Sequence, residues 1–227
     1  MSELLMEEAT RGTSVVFASL AGLTIGAVQR EEKSERSRRL VLDAALKLFS
    51  KRGYRGTSVR DIADAAAVSI GNLYHHFPDK EAIFRTLLDE YQALTDKPNF
   101  PLRRAFAEKT FPDNLEEIGY AARDSVRQYR AYMTLHYVDV IEFDGSHIRA
   151  FYSELVQRME RAQLQTPNLR EDVSVTSSML AATRLFLNYF QLEILFGVKE
   201  PFGKDSAQIV REIADMLRRG IAREEPS

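Results

Sequence analysis

The stretch that decides the fold runs from Thr57 to Phe77, "TSVRDIADAAAVSIGNLYHHF". It reads as two short helices placed close together. Thr57 and Ser58 offer hydroxyls to the start of the first, Asp61 falls in its first turn, and Ile62, Ala63 and Ala66 form a buried side. Ser69 caps a second, shorter helix in which Leu73 and Phe77 face inward, and Pro78-Asp79 ends it. Upstream, Leu40, Val41, Ala44, Ala45, Leu48 and Phe49 recur at helical spacing and predict an amphipathic helix over about Arg36–Arg52. Gly53 stops that helix, with Lys51 and Arg52 in the last turn, where cations suit its dipole. Downstream, Asp79 caps a fourth helix reaching about Leu94. Two short helices joined by three or four residues and braced by a third make a helix-turn-helix.

Charge supports that reading. Residues 30–60 hold ten Lys/Arg against four acids, in a chain of 227 residues whose formal net charge is −2. A local positive patch on a slightly acidic chain is suited to phosphate backbones, because neutralising them releases counterions. Hydrophobic content of 44% gives material for a real core. The absence of cysteine excludes disulfides and thiolate metal sites and fits a reducing cytoplasm, the expected location.

The segment Arg39–Phe84 resembles the DNA-binding domain of the TetR family of transcriptional regulators. The resemblance rests on Ala44-Ala45 with Phe49, Gly53-Tyr54, Thr57-Ser58-Val59, Asp61-Ile62-Ala63, Val68-Ser69, Leu73-Tyr74, His76-Phe77 and Lys80-Glu81. It covers about a fifth of the chain. One position departs from the family pattern: Ala67 stands in the interhelical turn where glycine is usual. A left-handed alanine there costs about 1 kcal/mol. The resemblance implies a dimeric, ligand-responsive DNA-binding protein, most simply a repressor, with the recognition helix beginning near Ser69.

Residue chemistry then separates the faces of that helix. With Leu73 and Phe77 buried, Ile70, Gly71, Asn72, Tyr74 and His75 are left outward. Asn pairs in bidentate fashion with adenine, an aromatic edge packs on a thymine methyl, and Gly71 permits close approach to the groove. Arg60 is placed to reach a guanine, while Ser58, Tyr74, His75, His76 and Lys80 suit phosphates. The expected DNA-contacting set is therefore Ser58, Arg60, Ser69, Ile70, Gly71, Asn72, Tyr74, His75, His76 and Lys80. Adjacent histidines point about 100° apart on a helix and do not chelate one metal as an i, i+4 pair does. No metal or cofactor is expected.

Beyond "TDKPNFP" (Thr95–Pro101) the pattern predicts helices throughout: Leu102–Glu108, Asn114–Tyr129, Ala131–Phe143, Ser146–Gln163, Glu171–Phe196 and Asp205–Arg223. The expected architecture is all-α. An N-terminal extension (1–32) precedes a helix-turn-helix domain (33–78), a connecting helix (79–95) and a ligand-binding and dimerisation domain (96–227). "LFLNYFQLEILF" (Leu185–Phe196) is apolar on nearly every side, and the last helix carries a stripe of Ile209, Val210, Ile213, Met216, Leu217 and Ile221. Paired with their copies, these two helices would form a four-helix dimer interface. Tyr120, Met133, His136, Tyr137, Phe151, Phe186 and Tyr189 are the candidate pocket residues. Their bias points to a small apolar effector, an acyl chain among the possibilities. Asp139, Glu142 and Asp144 near His136 are read as solvated carboxylates at a helix end rather than metal ligands.

Val15–Val28 is an apolar run of 14 residues, too short to span a bilayer unaided. Acidic "MSELLMEE" stands where a signal peptide needs positive charge. A helix docked on the body or on a partner chain is expected, with a disordered arm as the alternative. As a function class, the competitor to a regulator is an all-helical binding or enzymatic protein with a vestigial helix-turn-helix. The sequence offers it no nucleophile–base pair, phosphate loop or zinc motif.

Overall fold

The structure, a computed structural model, describes residues 3–108, 110–161, 166 and 168–222. The helices are α1 (Glu3–Arg52), α2 (Val59–Ala66), α3 (Ile70–His76), α4 (Lys80–Thr95), α5 (Pro101–Glu108), α6 (Leu115–Gln128), α7 (Arg130–Phe143), α8 (Ile148–Arg161), α9 (Val175–Phe190) and α10 (Ser206–Ile221). A π-helical turn, Gln191–Leu195, continues α9. Among the described residues the sole β feature is an isolated antiparallel bridge between Leu169 and Ala222. The fold is all-α, as expected. The expected helix Arg36–Arg52 is the C-terminal part of α1, whose helical backbone reaches back to Glu3. The side chains of residues 3–27 lie outside the described part, and with them the expected docking of Val15–Val28. Residues 162–165 and 223–227, at the expected ends of two helices, lie outside it as well. Among the described residues no helix is long and apolar enough to cross a membrane.

Two compact units emerge: Met1–Ala45 with Ser58–Lys80, and Leu46–Thr57 with Glu81–Ser227. The smaller is the helix-turn-helix. Its buried side chains are Val41, Leu42, Ala44 and Ala45 of α1, Ile62, Ala63 and Ala66 of α2, and Leu73 and Phe77 at α3. The stripe on α1 is rotated from the expected one, for Leu40 is 43% exposed and Leu42 takes the buried place. Ser58 closes a capping box, its Oγ accepting from the Asp61 N–H while its own N–H donates to the Asp61 carboxylate at 2.8 Å. Thr57 is buried and does not cap; its hydroxyl donates back to the Gly53 carbonyl at 2.9 Å. Ser69 Oγ accepts from the Asn72 N–H at 3.1 Å and starts α3. Between the two helices Ala67 holds φ 54°, ψ 40°, and its N–H closes the end of α2. The left-handed turn is thus kept without glycine.

In the larger unit α6 is the central element, packing on α5, α9 and α10. Its buried Leu115, Ile118, Ala122 and Val126 meet a core that includes Phe186, Phe190, Ile209 and Val210. Gly119 makes the close approach possible: a Cβ there would lie 2.8 Å from the Val210 side chain and 3.0 Å from the Phe186 ring. The α10 stripe is used differently from the expectation. Ile209, Val210 and Ile213 are buried within this chain and Leu217 and Ile221 pack partly against the same core, leaving Met216 58% exposed. Helical spacing reports an apolar face, and one core was enough to claim most of it.

The strained turn gives a direct check. Ala67→Gly is expected to stabilise the protein by about 1 kcal/mol, since glycine adopts φ > 0 without the Cβ clash. Urea unfolding followed by circular dichroism measures it; an unchanged or lower midpoint contradicts the left-handed assignment.

Candidate nucleic-acid interface and ligand cavity

α3 is short, yet its faces are cleanly divided. Leu73 and Phe77 anchor it, and Ile70, Gly71, Asn72, Tyr74 and His75 are exposed, Ile70 by 42% and Tyr74 by 50%. Ser58, Arg60 and Ser69 are exposed too, while His76 and Lys80 are half-buried. The Asn72 side chain is not loose: its Oδ1 accepts from the Ser37 hydroxyl of α1 at 2.9 Å. Arg38, the next residue of α1, lies with its guanidinium 5.1 Å from the centre of the Phe77 ring. The His75 and His76 rings meet edge-on at 5.2 Å. Partial burial, then the neighbouring His75 and Arg38, lower the pKa of His76, so its imidazole favours the neutral form. Ser37 and Arg38 carry no obvious signal in the sequence. They matter because their side chains reach Asn72 and Phe77.

Within the larger unit, the end of α1 and the turn after it are gripped by α7. Glu142 accepts backbone N–H bonds from Tyr54 at 2.8 Å and Arg55 at 2.7 Å, and its carboxylate is only 14% exposed. Gly53, at φ +77°, lets the carboxylate in, because a Cβ there would sit 2.6 Å from Glu142 Oε1. Beside it Phe49, Tyr54, Phe84, Phe143 and His147 form a continuous aromatic cluster with centroid separations of 4.6 to 5.9 Å. Asp139 is fully buried and accepts from the His147 ring Nδ1 and from the backbone N–H groups of His147 at 3.3 Å and Ile148 at 3.2 Å. The other face of that ring places Nε2 3.4 Å from Glu81 in the first turn of α4. Asp139 and Glu142 are therefore not solvated as the sequence suggested. They satisfy backbone donors at the start of α8 and after α1, and only Asp144 stands in water. Among the described residues no group of three or more histidine and carboxylate side chains is arranged to hold a metal.

A cavity of about 530 Å³ opens among α4, the segment leading into α5, α7, α8 and α9. Its apolar wall is built from Tyr91, Phe100, Met133, Phe151, Met159, Met179, Leu180 and Leu187. Tyr91 is the hub of the surrounding rings, stacked on Tyr132 at 5.7 Å and edge-on to His136 at 5.3 Å. The polar lining includes Asp96, Arg103, His136, Tyr152, Thr183, Arg184 and Gln191. His136 Nδ1 and the Tyr152 hydroxyl are 3.1 Å apart, and the Arg184 guanidinium lies 4.6 Å from the centre of the Tyr152 ring. Burial, with Arg184 adding to it, pushes the His136 pKa down to about 4, so the imidazole is neutral.

Of the sequence candidates, Met133, His136 and Phe151 line this cavity. Phe186 and Tyr189 are buried in the core instead, Tyr120 lies under the Arg123 guanidinium, and Tyr137 donates to Gln191 at 3.0 Å against Phe196. On α9 the cavity face is Met179, Leu180, Thr183, Arg184 and Leu187, about a third of a turn away from the core face of Ala182, Phe186 and Tyr189. Both faces are apolar enough for either role, so spacing alone did not separate them. Thr183 and Arg184 went unread for that reason, and Tyr91 of α4 and Arg103 of α5 because the expected pocket lay among the middle helices.

Comparison with known proteins bears on the smaller unit most strongly. Residues 41–87 match the family model of bacterial regulatory proteins, tetR family. The HTH-type transcriptional repressor KstR2 of Rhodococcus jostii is 54% identical over 54 residues, which are 22% of this chain and 26% of that protein. KstR2 of Mycobacterium tuberculosis is 31% identical over 129 residues, 53% of this chain and 59% of that protein. The chain thus spans between a quarter and three-fifths of the length of these curated relatives. The solved structure of the ketosteroid transcriptional regulator KstR2 of Mycobacterium tuberculosis covers 84% of this chain, and 96% of that one, with a TM-score of 0.53 at 20% identity; it shares the fold.

The neutral His136 makes stability depend on pH with a defined sign. Its folded pKa is about 4 against an ordinary 6.5, so between those values the unfolded chain binds the extra proton. Stability from this group is complete above about pH 6.5 and falls as the pH drops towards 4, by up to about 3 kcal/mol. Urea unfolding at stepped pH, compared with His136→Gln, measures it. The variant is expected to lose less stability over that window, and parallel curves would contradict the assignment.

Proposed function

We propose that this chain, whose residues 41–87 form a tetR-family domain, is a ligand-responsive DNA-binding transcriptional regulator. In this reading it is a repressor, binds an inverted-repeat operator as a homodimer, and is released by a small, largely apolar effector. The observation that carries it is the exposed face of α3: Ile70, Gly71, Asn72, Tyr74 and His75 stand out over buried Leu73 and Phe77. That face is too small to bind tightly once, so two copies reading successive major grooves are needed.

The roles divide by chemistry. Tyr74, His75, His76, Lys80 and Ser58 hold phosphates and set register; Asn72 and Arg60 read base edges, with Ile70 against a thymine methyl and Gly71 allowing approach. Ser37 turns the Asn72 amide by occupying its Oδ1, which leaves the amide N–H groups for a base acceptor unless the groove displaces Ser37. Release follows from the cavity. Tyr91 and Thr95 of its wall are on α4, the helix that leaves the DNA-binding unit at Lys80. A ligand there favours one setting of α4, and hence one separation of the two reading heads. The KstR2 relatives are named as repressors and one as a ketosteroid regulator, which fits an apolar effector of cavity size.

Electrophoretic mobility shifts against the DNA flanking the chain's own gene test the reading. Lys80→Ala and Tyr74→Ala are expected to weaken specific and random DNA alike, the lysine loss also flattening the salt slope by about one unit. Asn72→Ala and Ser37→Ala are expected to change which operator is preferred and leave the salt slope alone. An unaltered affinity and slope for Lys80→Ala would refute the docking.

Assembly is tested separately. Ile213 sits in the core of one chain, so a charge there would unfold it; the exposed Met216 of α10 is the informative site. We expect a dimer at micromolar concentration, half-sites about 34 Å apart, and loss of both dimer and operator binding in Met216→Glu with the fold intact. A monomer by light scattering that holds a half-site tightly would overturn the dimer.

A further inference from the structure

The cavity is not uniformly apolar, and its polar groups share one character. Thr183 is 91% buried by its 9% exposure, and its hydroxyl has no hydrogen-bond partner, although a helical threonine can ordinarily bond back to the preceding turn. Orphaned buried hydroxyls are rare and cost roughly 1–3 kcal/mol. One residue on, Arg184 stands at the same wall over the Tyr152 ring, and Arg103 stands at the wall near Phe100. Both arginines are exposed and, among the described residues, neither has a carboxylate partner. Asp96 is the one acid of the lining, so the rim carries two cations against one anion. His136 and Tyr152 satisfy each other and add no charge. The remaining wall is aromatic and thioether.

We propose that the cavity takes an amphipathic carboxylic acid, its apolar body among Tyr91, Phe100, Phe151 and Met179 and its carboxylate held by Arg184 and Thr183. Arg103 screens the charge from across the rim. The proposal rests on the reading of the cavity as the effector site, but it adds which end of the effector is recognised and by what. A guanidinium presents two parallel N–H groups to a carboxylate, and the threonine supplies a third donor to an oxygen lone pair. A neutral group of the same shape gains only ordinary hydrogen bonds there. The arrangement also explains why the hydroxyl is unpaired: it lacks an acceptor until the ligand brings one. Cation stacking on Tyr152 holds the Arg184 head near the opening before binding, which lowers the ordering cost of capture.

Matched probes separate head from body. Dodecanoic acid is compared with dodecanamide, and a fused-ring carboxylic acid with its amide, by isothermal titration calorimetry on the full chain. DNA release is scored apart, on the operator complex. We expect each acid to bind at least tenfold more tightly than its amide at pH 7. In Arg184→Gln that ratio falls to within about threefold, whereas amide affinity is little changed. Thr183→Val, which keeps the shape and removes only the hydroxyl, is expected to weaken acid binding several-fold while the ligand-free protein is as stable as the parent or more so. Acid and amide binding equally well, or an acid preference that survives in Arg184→Gln, overturns the proposal. Loss of stability without loss of acid affinity in Thr183→Val also does so, since the hydroxyl would then be structural. An acid that binds selectively yet leaves the operator complex intact supports the head group and refutes the effector role; an amide that binds equally and releases DNA does the reverse.

Discussion

The constraint on which the rest of the structure depends is the grip of Glu142 on the turn after α1. A carboxylate only 14% exposed accepts two backbone N–H bonds, from Tyr54 and Arg55, through an opening that glycine at position 53 leaves clear. Phe49 and Tyr54 pack beside it on Phe84 and Phe143. The consequence is topological. Residues 46–57 lead directly into the helix-turn-helix, and residues from Glu81 onward lead directly out of it, and both belong to the same larger unit. The segment 58–80 is therefore tethered at its two ends to one body. Asp139 and His147 secure the second tether, where Glu81 begins the exit.

Magnitudes decide how such a bracket can respond to a ligand. Each charge-assisted bond of Glu142 or Asp139 is worth about 1.5–3 kcal/mol, and leaving a buried donor unpaired costs about as much again. An effector with a hundredfold preference for one setting supplies about 2.7 kcal/mol. That is too little to break the bracket, which holds several such bonds together with the aromatic cluster, and enough to choose between two settings that both preserve it. In the proposed reading, switching is then a displacement of α4 carried by intact contacts. Tyr91, stacked on Tyr132 and touching the cavity, is the side chain best placed to receive it.

Most of the fold was legible because its signals are local. Ser58, Ser69 and Asp205 mark helix starts by hydrogen bonds made within three residues, and helix ends at Phe143 and Arg52 follow from Asp144-Gly145 and Gly53 in left-handed conformations. Helical periodicity then gave the elements of both units. What periodicity does not carry is the identity of the covering surface. The α10 stripe looked like an interface and became core, Leu40 and Leu42 exchanged places, and Phe186 and Thr183, three residues apart on α9, divided between core and cavity. Asp139 and Glu142 were misread for a related reason. Their partners, at Ile148 and Tyr54, are backbone groups that no side-chain pattern announces.

In the proposed reading, charge placement is what directs a chain of net −2 onto DNA. Residues 30–60 hold ten basic against four acidic residues, which leaves twenty-one basic against twenty-nine acidic in the remainder. Charge is thus divided along the chain, about +6 in a stretch of thirty-one residues and about −8 elsewhere. Near a polyanion, the basic stretch is attracted and the acidic remainder repelled, which in the proposed reading favours encounter through that stretch. Some of that positive charge is already engaged: Arg39 pairs with Asp43 at 2.7 Å, and Arg38 lies over Phe77. What remains is modest, and modest is sufficient. Non-specific affinity grows with each phosphate neutralised, and excess charge would hold the protein on random DNA as firmly as on its site. A small basic stretch in an otherwise acidic chain would keep that background low and, in the proposed reading, leave discrimination to the few exposed groups of α3.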